Sequence, residues 1–413
     1  MKHISEREQE LPDAVIGELL KIASENKNII SMGAGQPDFK TPKPILDYAK
    51  KVIYKSSAYS NPAGVLELRE AIVKKLKKDN KIKTNSDNII VTAGSQEALF
   101  VSLLCTIDPG EQVIIPNPGY LAYVPAVELL NGGISYVRLR EEDGFDIDPE
   151  KIKEVIDKKK TKILILNSPA NPTGNVLSRK TLEKISDLVV ENDFYVISDE
   201  AYEKLVYDKK HISIGSLNGM EKYTITVQSF SKSFAMCGFR LGYASGPKDL
   251  IDAMVKSSHY VTLCAPHISQ LLGVKALQIS NKYVENMVKE YDRRRKYIVP
   301  RLNKMGLKTA MPYGAFYAFA NIKHLNNNSY KFARELLTKA KVAVVPGIEF
   351  GTYGEGYIRF SYATDLELIK KGLDRIENYL KKNYWNEKKS YYQIKHFFFK
   401  IISNFLTLSL SNS

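Results

Sequence analysis

A lysine flanked by serines, Lys232, closely follows a stretch that is typical of a buried strand, Thr224 to Gln228. A lysine in this position, between small hydroxyl residues, suits Schiff-base chemistry with a carbonyl cofactor. Eight residues further on, Arg240 offers a guanidinium that could hold a phosphate group. Most lysines merely solvate a surface, so Lys232 needs support from other segments before a chemical role can be inferred.

Three further segments place polar groups at predicted strand ends. Asp199 ends the apolar stretch Phe194 to Ser198, and the carboxyl ends of strands are where open α/β sheets bind ligands. A cofactor with a pyridine ring, such as pyridoxal 5′-phosphate (PLP), needs an acid there, because the positively charged ring is the electron sink. Asn171 follows another strand end among turn-forming residues. Gly94 and Ser95 join a strand to a helix, whose N–H groups and dipole would face an anion.

Each segment also has a purely structural explanation. Asp199 can be a helix cap, the Asn-Pro segment at Asn171 a turn, and Gly94-Ser95 a helix start. Taken singly, the structural explanation is favoured each time. Taken jointly and in this order, the segments favour a functional site.

The composition is that of a globular protein. The chain has 413 residues, and its 44% hydrophobic share is ample for a buried core and excludes a disordered chain. This length predicts two domains, or one large domain with an appendage. Three widely spaced cysteines offer no zinc spacing, so no metal site is expected. The residues from Lys2 to Glu10 do not resemble a signal peptide, and no apolar run approaches the ~20 residues of a membrane span. We therefore expect a cytoplasmic protein that does not bind membranes.

The formal net charge of +14 could indicate a nucleic-acid surface. The lysine-rich run Lys74 to Lys78 follows apolar residues at helical spacing, Leu68 and Ile72, so its lysines are expected on an outer helix face. No zinc finger, RNA-recognition aromatic motif or bZIP pattern accompanies the basic runs. Nucleic acid is therefore not expected as a partner.

Short apolar runs alternate with amphipathic stretches between about Asn88 and Ser229, as in a βα-layered domain. The runs are nearly continuously apolar, which suits a mostly parallel sheet covered on both faces. A long charged helix, Tyr283 to Met305, then leads into a smaller unit. The sequence thus predicts an α/β fold with a large domain over residues 46–285 and a smaller α+β domain from residues 1–45 and 286–380. The predicted strands are Ile89 to Thr92, Gln112 to Ile115, Ile134 to Arg138, Lys162 to Asn167, Phe194 to Ser198, Thr224 to Gln228, Arg240 to Ala244, Ala315 to Phe319, Val342 to Val345 and Tyr357 to Tyr362.

Residues 381–413 form a C-terminal extension of unknown role, with apolar residues clustered at Phe397 to Ile402. One interpretation is an amphipathic helix for a membrane surface or a partner, and the other is an appended segment without a role in the chemistry. The second is favoured, because the polar face is not strongly basic beyond Lys395 and Lys400.

From about Pro12 to Leu380 the chain resembles the class I aminotransferases of PLP fold type I, in particular the archaeal and bacterial branch of aromatic and aspartate aminotransferases. The resemblance implies PLP as cofactor, and a large domain with a mostly parallel central sheet flanked by helices, plus a smaller α+β domain. The extension from Lys381 has no counterpart in the family. Besides the segments quoted above, the resemblance is carried by Gly33 to Phe39, Ala58 to Ser60, Asn117 to Tyr120 and Tyr357 to Ser361.

The resemblance implies a role for each matching residue. Lys232 is the catalytic residue, which binds PLP covalently and moves the proton between the substrate Cα and C4′ of the cofactor. Arg359 clamps the substrate α-carboxylate, aided by Asn171 and the backbone at Gly35. Tyr59 reaches the phosphate from the partner subunit, which implies a homodimer. The other implied cofactor contacts are Asp199 at the pyridine nitrogen, Tyr202 and Asn171 at the phenolic oxygen, Tyr120 stacked on the ring, and Gly94, Ser95, Gln96, Ser229 and Arg240 at the phosphate.

The implied reaction moves an amino group from an L-amino acid to a 2-oxo acid such as 2-oxoglutarate by a ping-pong mechanism. Aromatic or broad donor specificity is favoured, with aspartate retained as an alternative donor. Related prokaryotic aspartate enzymes carry a lysine on the helix after the phosphate loop, where this chain has Leu103 and Leu104. The segments Glu290 to Arg295 and Gly314 to Tyr317 are also close to archaeal aromatic members.

Two alternatives use the same fold. A C–S β-lyase, or a related enzyme such as a cyclopropane-carboxylate synthase, keeps the cofactor but changes the outcome, and the fold alone does not decide between them. A PLP-binding regulatory module carries an added helix-turn-helix domain, whereas about 45 residues without that pattern precede the cofactor domain here. Transamination is therefore the preferred interpretation.

Overall fold

The computed structural model describes residues 4–11, 17, 21–22, 25–217 and 219–385. Within these residues no helix combines the length and the apolar character that a membrane crossing requires. Most of the C-terminal extension, and so the choice between its two interpretations, lies outside the described residues. The described part of the extension, Lys381–Trp385, continues the preceding helix with a single π-helical turn.

A seven-stranded sheet forms the centre of the larger unit of the fold. Its spatial order is β2-β8-β7-β6-β5-β3-β4, and every neighbouring pair is parallel except those made by β8. The predicted mostly parallel sheet is therefore confirmed. The strands within the described residues are β1 Ile30–Ser31, β2 Ile89–Thr92, β3 Gln112–Asn117, β4 Gly133–Arg138, β5 Thr161–Asn167, β6 Tyr195–Asp199, β7 Thr224–Ser229, β8 Gly242–Ser245, β9 Tyr317–Asn321, β10 Val342–Ala343, β11 Val345–Pro346 and β12 Tyr357–Ser361.

Helices cover this sheet and also pack against the smaller sheets described below. Several begin at residues that satisfy free N–H groups, as at Ser178, whose hydroxyl accepts from the backbone N–H of Thr181 at 3.0 Å. The α-helices that can be delimited within the described residues are α1 Glu6–Glu10, α2 Lys43–Val52, α3 Leu66–Lys75, α4 Ser95–Leu104, α5 Tyr123–Glu128, α6 Pro149–Val155, α7 Arg179–Asn192, α8 Phe230–Ser233, α9 Lys248–Val261, α10 His267–Gln278, α11 Lys282–Lys304, α12 Ser329–Glu335 and α13 Leu366–Leu380.

Alternate residues of β5 pack against helices on opposite faces of the sheet. Ile163 and Ile165 belong to a core that includes residues of α4 and α9, whereas Leu164 and Leu166 belong to a core with α7. Because a strand side chain points to the opposite face at each step, both faces of β5 need apolar residues. This explains why the central strands are almost continuously apolar in the sequence.

A second, smaller unit of the fold contains two small sheets. One pairs β1 with β10 in parallel, and the other has the antiparallel order β11-β12-β9. Both pack into one apolar core with α11 and α13. The division of the chain at residues 46 and 285 stays a prediction.

Three local expectations were wrong. The predicted strand Val342 to Val345 is divided into β10 and β11, which belong to different sheets. Arg240 does not begin a strand: it lies in the turn before β8 with a φ of 48°, because its backbone ends a short 3-10 helix there. Lys75 does not face solvent: its side chain is 11% exposed and forms an ion pair with Glu203. Burial alone would raise the pKa of Glu203, but the ammonium groups of Lys75 and Lys204 outweigh it and lower this pKa to about 2.

Candidate active site

A cavity of about 300 Å³ opens where β5, β6 and β7 end and α4 begins. This is the edge at which ligands of open α/β sheets bind. Side chains from the smaller unit also line this cavity, notably Arg359 of β12. Eleven predicted site residues line the cavity: Gly35, Ser95, Gln96, Tyr120, Asn171, Asp199, Tyr202, Ser229, Lys232, Arg240 and Arg359.

The other two predicted residues lie outside the lining. Gly94 stands at the start of α4 with a φ of 88°, and a Cβ there would lie 2.5 Å from Nη2 of Arg240. The absence of a side chain at Gly94 therefore lets the Arg240 guanidinium approach the start of α4 closely. Tyr59 is 83% exposed and reaches no part of the cavity of its own chain.

Lys232 lies on α8, a single helical turn directly after β7. The hydroxyl of Ser229 caps this turn by accepting from the N–H of Ser231 at 3.1 Å. The Lys232 ammonium donates to the carbonyl of Gly35 at 2.5 Å and lies 5.8 Å from the centre of the Tyr202 ring. The amine is thus held at the cavity wall by a backbone oxygen and not by a carboxylate.

Asp199 lies at the end of β6 and is part-buried. Its Oδ2 accepts from the Tyr123 hydroxyl at 2.7 Å, and its Oδ1 accepts from the N–H of Ala201 at 3.1 Å. Burial raises the pKa of Asp199 above its usual range, although both hydrogen bonds act in the opposite direction. The carboxylate therefore gains from a cationic partner in the cavity.

Arg359 carries a buried charge, with 2% of its surface exposed. Its Nη1 donates to Oδ1 of Asn171 at 2.9 Å and its Nη2 to the carbonyl of Gly33 at 2.8 Å. Its Nε has no hydrogen-bond partner among the described residues. Burial lowers the pKa of this guanidinium, and its neighbours carry no formal negative charge. A carboxylate bound in the cavity would satisfy the unpaired donor.

Phosphate-compatible donors also line the cavity. The first turn of α4 presents Ser95 and Gln96, with the Ser229 hydroxyl and the Arg240 guanidinium beside it. A Cβ at Gly242 would lie 2.4 Å from the backbone nitrogen of Ser95, so β8 approaches this turn closely only because the position is glycine. Backbone N–H groups at a helix start, hydroxyls and an arginine suit a phosphate.

The family pattern described as "Aminotransferase class I and II" matches residues 27–376. The aspartate aminotransferase of Pyrococcus abyssi is 47% identical over 89% of this chain and 95% of its own length. The aromatic-amino-acid aminotransferase 2 of Thermococcus litoralis is 41% identical over 92% and 98% of the two chains. The crystal structure of the aromatic aminotransferase from Pyrococcus horikoshii superposes with a TM-score of 0.84 at 46% identity, covering 88% and 99%.

The chain belongs to the class I and II aminotransferases. It is a PLP-dependent enzyme that transfers an amino group between amino acids and oxo acids, and its fold is PLP fold type I. These sequence-based predictions are confirmed, and the β-lyase alternative is not favoured.

The cavity of this aminotransferase fits PLP in three independent respects. Arg240 and the start of α4 can take the phosphate, and Asp199 can take the protonated pyridine nitrogen. Lys232 lines the same cavity and can reach a carbonyl carbon there. The unpaired Nε of Arg359 remains for a substrate carboxylate.

Two tyrosines of the site were missed in the sequence. Tyr123 donates a hydrogen bond to Asp199, and Tyr317 lines the cavity beside Arg359. Tyr120 precedes the helix that begins at Tyr123, and the two rings meet edge-on at 5.5 Å between their centres. Tyr317 depends on the pairing of β9 with β12, in which Ser361 lies opposite Tyr317 and Arg359 opposite Phe319. The sequence does not contain that register.

A larger cavity of about 720 Å³ lies between α3, α10 and α11 and shares only Ser229 with the lining of the active-site cavity. Beside it, Glu200, Glu203 and His211 bring ligand atoms within 4.8 Å of one another. Glu200 already accepts from Gln228 at 2.9 Å, and Glu203 pairs with Lys75. Protein donors thus meet both carboxylates.

Proposed function

We propose that the cavity holds PLP through Lys232, with Asp199 at the pyridine nitrogen and Tyr202 and Asn171 at the phenolic oxygen. Tyr120 covers one face of the ring, and burial raises its pKa to about 12, so that it stays neutral. The phosphate lies against α4 and Arg240. The phosphate-compatible donors, Lys232 and Arg359 all line this one cavity, which supports the assignment.

PLP, when bound, supplies the electron sink that makes the substrate Cα–H acidic. Arg359 binds the α-carboxylate and, together with Asn171, fixes the orientation of the Cα–H bond. Lys232, once free of the cofactor, takes the proton from Cα and returns it to C4′. The burial of Arg359 excludes water around its charge and strengthens its interactions with bound groups.

We further propose an aromatic donor, with broader specificity retained. The cations in the described cavity lining are Lys232, Arg240 and Arg359, and each already has a role. No further lining cation is left for the distal carboxylate of aspartate. The rest of the wall is rich in neutral rings and aliphatic groups, which suit an aromatic side chain: Leu99, Tyr120, Leu121, Tyr202 and Tyr317.

Leu103 and Leu104, which the sequence argument used, lie outside the cavity lining. Leu103 is buried in the core between α4 and the sheet, and Leu104 is part-exposed at the end of α4. The proposal therefore rests on the lining itself.

A single-turnover absorbance experiment tests both proposals. Purified protein loaded with PLP receives tyrosine, phenylalanine, aspartate, alanine or kynurenine separately, without an oxo acid. We expect the visible band of lysine-bound PLP to convert to the pyridoxamine form, fastest with tyrosine or phenylalanine. Conversion that is fastest with aspartate would overturn the donor assignment. A Lys232→Ala protein that kept the band and wild-type turnover would overturn the cofactor site.

The enzyme is further proposed to be a homodimer, in which the partner subunit's Tyr59 completes the phosphate site. Exposed apolar and aromatic side chains support this, because such clusters mark protein interfaces. Ile53, Tyr54 and Tyr59 are exposed, and so is Tyr260 at the end of α9. The loop that carries Tyr59 is fixed to α10 by a 3.0 Å contact between the His267 ring and the carbonyl of Ala58. The expected cytoplasmic location stays a prediction.

A further inference from the structure

Tyr317 joins two groups that the proposed function uses separately. Its hydroxyl oxygen lies 2.7 Å from that of Tyr202, and its ring centre lies 4.3 Å from the guanidinium carbon of Arg359. All three side chains are buried and line the active-site cavity. The ring of Tyr317 therefore contacts Arg359, the proposed carboxylate-binding cation. Its hydroxyl contacts Tyr202, the residue assigned to the phenolic oxygen of PLP.

We propose that Tyr317 is a positioning residue: its hydroxyl donates to Tyr202, so that Tyr202 donates its own proton into the cavity. This inference rests on the proposed PLP site. A phenol has one proton. If the proton of Tyr202 goes to the phenolic oxygen of the cofactor, the 2.7 Å contact between the two tyrosines must use the proton of Tyr317.

The position of Tyr317 favours this direction. A Cβ at Gly35 would lie 3.5 Å from the Tyr317 hydroxyl, so the Gly35 backbone lies close to this hydroxyl. Burial raises the pKa of Tyr202 well above its usual range, so Tyr202 keeps its proton and can donate it. A hydrogen bond received by Tyr202 strengthens the one that it gives, because linked hydrogen bonds polarise one another.

The consequence for catalysis is a change in basicity. A stronger hydrogen bond to the phenolic oxygen stabilises its negative charge and weakens its hold on the proton of the nitrogen that links Lys232 to the cofactor. The pKa of that nitrogen is thereby lowered, so more of it is unprotonated near pH 7. The ring has a separate effect, since it holds the Arg359 guanidinium by a cation–π contact.

Two substitutions separate the hydroxyl from the ring. Tyr317→Phe removes the donor and keeps the ring, so the visible band of lysine-bound PLP should titrate about 0.5 to 1 pH unit higher than in the wild type. Its affinity for a non-reactive carboxylate, 3-phenylpropanoate, should stay unchanged. Tyr317→Leu should also weaken 3-phenylpropanoate binding about tenfold, because Arg359 loses its aromatic face.

Tyr207→Phe is the matched control. Its hydroxyl is buried in the same aromatic core and donates to the carbonyl of Ala315, but Tyr207 does not line the cavity. It should lose a similar amount of thermal stability while its titration midpoint stays at the wild-type pH. A Tyr317→Phe midpoint equal to that of the wild type would overturn the role of Tyr317 and leave the PLP site intact. A wild-type protein without a Lys232-dependent titrating band would instead overturn the proposed PLP site.

Discussion

The hydroxyl of Tyr123 donates a 2.7 Å hydrogen bond to Oδ2 of Asp199. Asp199 lies at the end of β6 and Tyr123 at the start of α5, so the bond joins two elements that are 76 residues apart in sequence. Since burial raises the pKa of Asp199, the Tyr123 donor helps to keep this carboxyl group ionised. An ionised Asp199 is what a protonated pyridine nitrogen requires.

Tyr123→Phe should therefore narrow the pH range of activity from the acid side. Without the donor, the pKa of Asp199 rises further, and the acid limb of the kcat/KM profile should move up by about one pH unit. The pH profile with a fast donor measures this shift. A variant profile with its acid limb at the wild-type pH would show that Tyr123 does not act on Asp199.

Replacing Arg359 by lysine should remove most of the binding of amino acids. Lysine cannot reproduce the planar fork that contacts Asn171 and the Gly33 carbonyl and leaves Nε for the substrate. The KM for tyrosine should rise about 100-fold, while the PLP band persists. Arg375→Lys is the matched control, because Arg375 donates to the carbonyls of Asn28 and Lys341 outside the cavity. An unchanged KM in Arg359→Lys would contradict the carboxylate assignment.

The buried ion pair between Lys75 and Glu203 gives a prediction about stability. Lys75→Met leaves Glu203 buried without its cation, which should lower the free energy of unfolding by about 3–5 kcal/mol. The neighbouring Lys74→Met, on the exposed side of α3, should change it by less than about 0.5 kcal/mol. Urea unfolding of the three proteins compares them. Equal midpoints for both variants would show that the pair does not contribute to stability.

The same pair predicts a pH dependence. The pKa of Glu203 falls from its usual 4.5 to about 2 in the folded protein, so its contribution to stability is fully present above pH 4.5. The contribution is lost as the pH falls from there towards 2, because the unfolded state takes up a proton first. The stability difference between wild type and Glu203→Gln should therefore shrink over this range in urea unfolding. A difference that stays constant from pH 6 to the acid limit of folding would contradict the lowered pKa.

The sequence predicted the features that depend on local pattern. Strands such as β5 and β6 are mostly apolar and end in polar residues, so Asn171, Asp199 and Lys232 could be placed at one edge of a sheet. The family resemblance then gave Arg359, which lies on another strand far along the chain.

Features that depend on contacts between distant segments could not be predicted. Tyr317 reaches Arg359 only through the register of β9 against β12, and Lys75 meets Glu203 across 128 residues of sequence. The helical spacing of Leu68 and Ile72 placed one face of α3 in the core correctly. It carried no information that a second face would be covered by the loop after β6.

A subunit-mixing experiment gives the last prediction, that each active site is built from two chains. Tyr59 is exposed and does not line the cavity of its own chain, whereas Lys232 does. In a homodimer that shares Tyr59 across the interface, Lys232→Ala and Tyr59→Ala proteins are each impaired. A mixed dimer, however, has one site with an intact Lys232 from one chain and an intact Tyr59 from the other.

Co-refolding the two variants should therefore restore activity that neither shows alone, with kcat per intact site close to that of the wild type. Mixing them without refolding controls for activation by simple addition, and the mass of the mixed species is measured by light scattering. If co-refolded mixtures showed only the average of the two separate activities, Tyr59 would not act across an interface. If the wild type had the mass of a single chain, the shared site itself would be excluded.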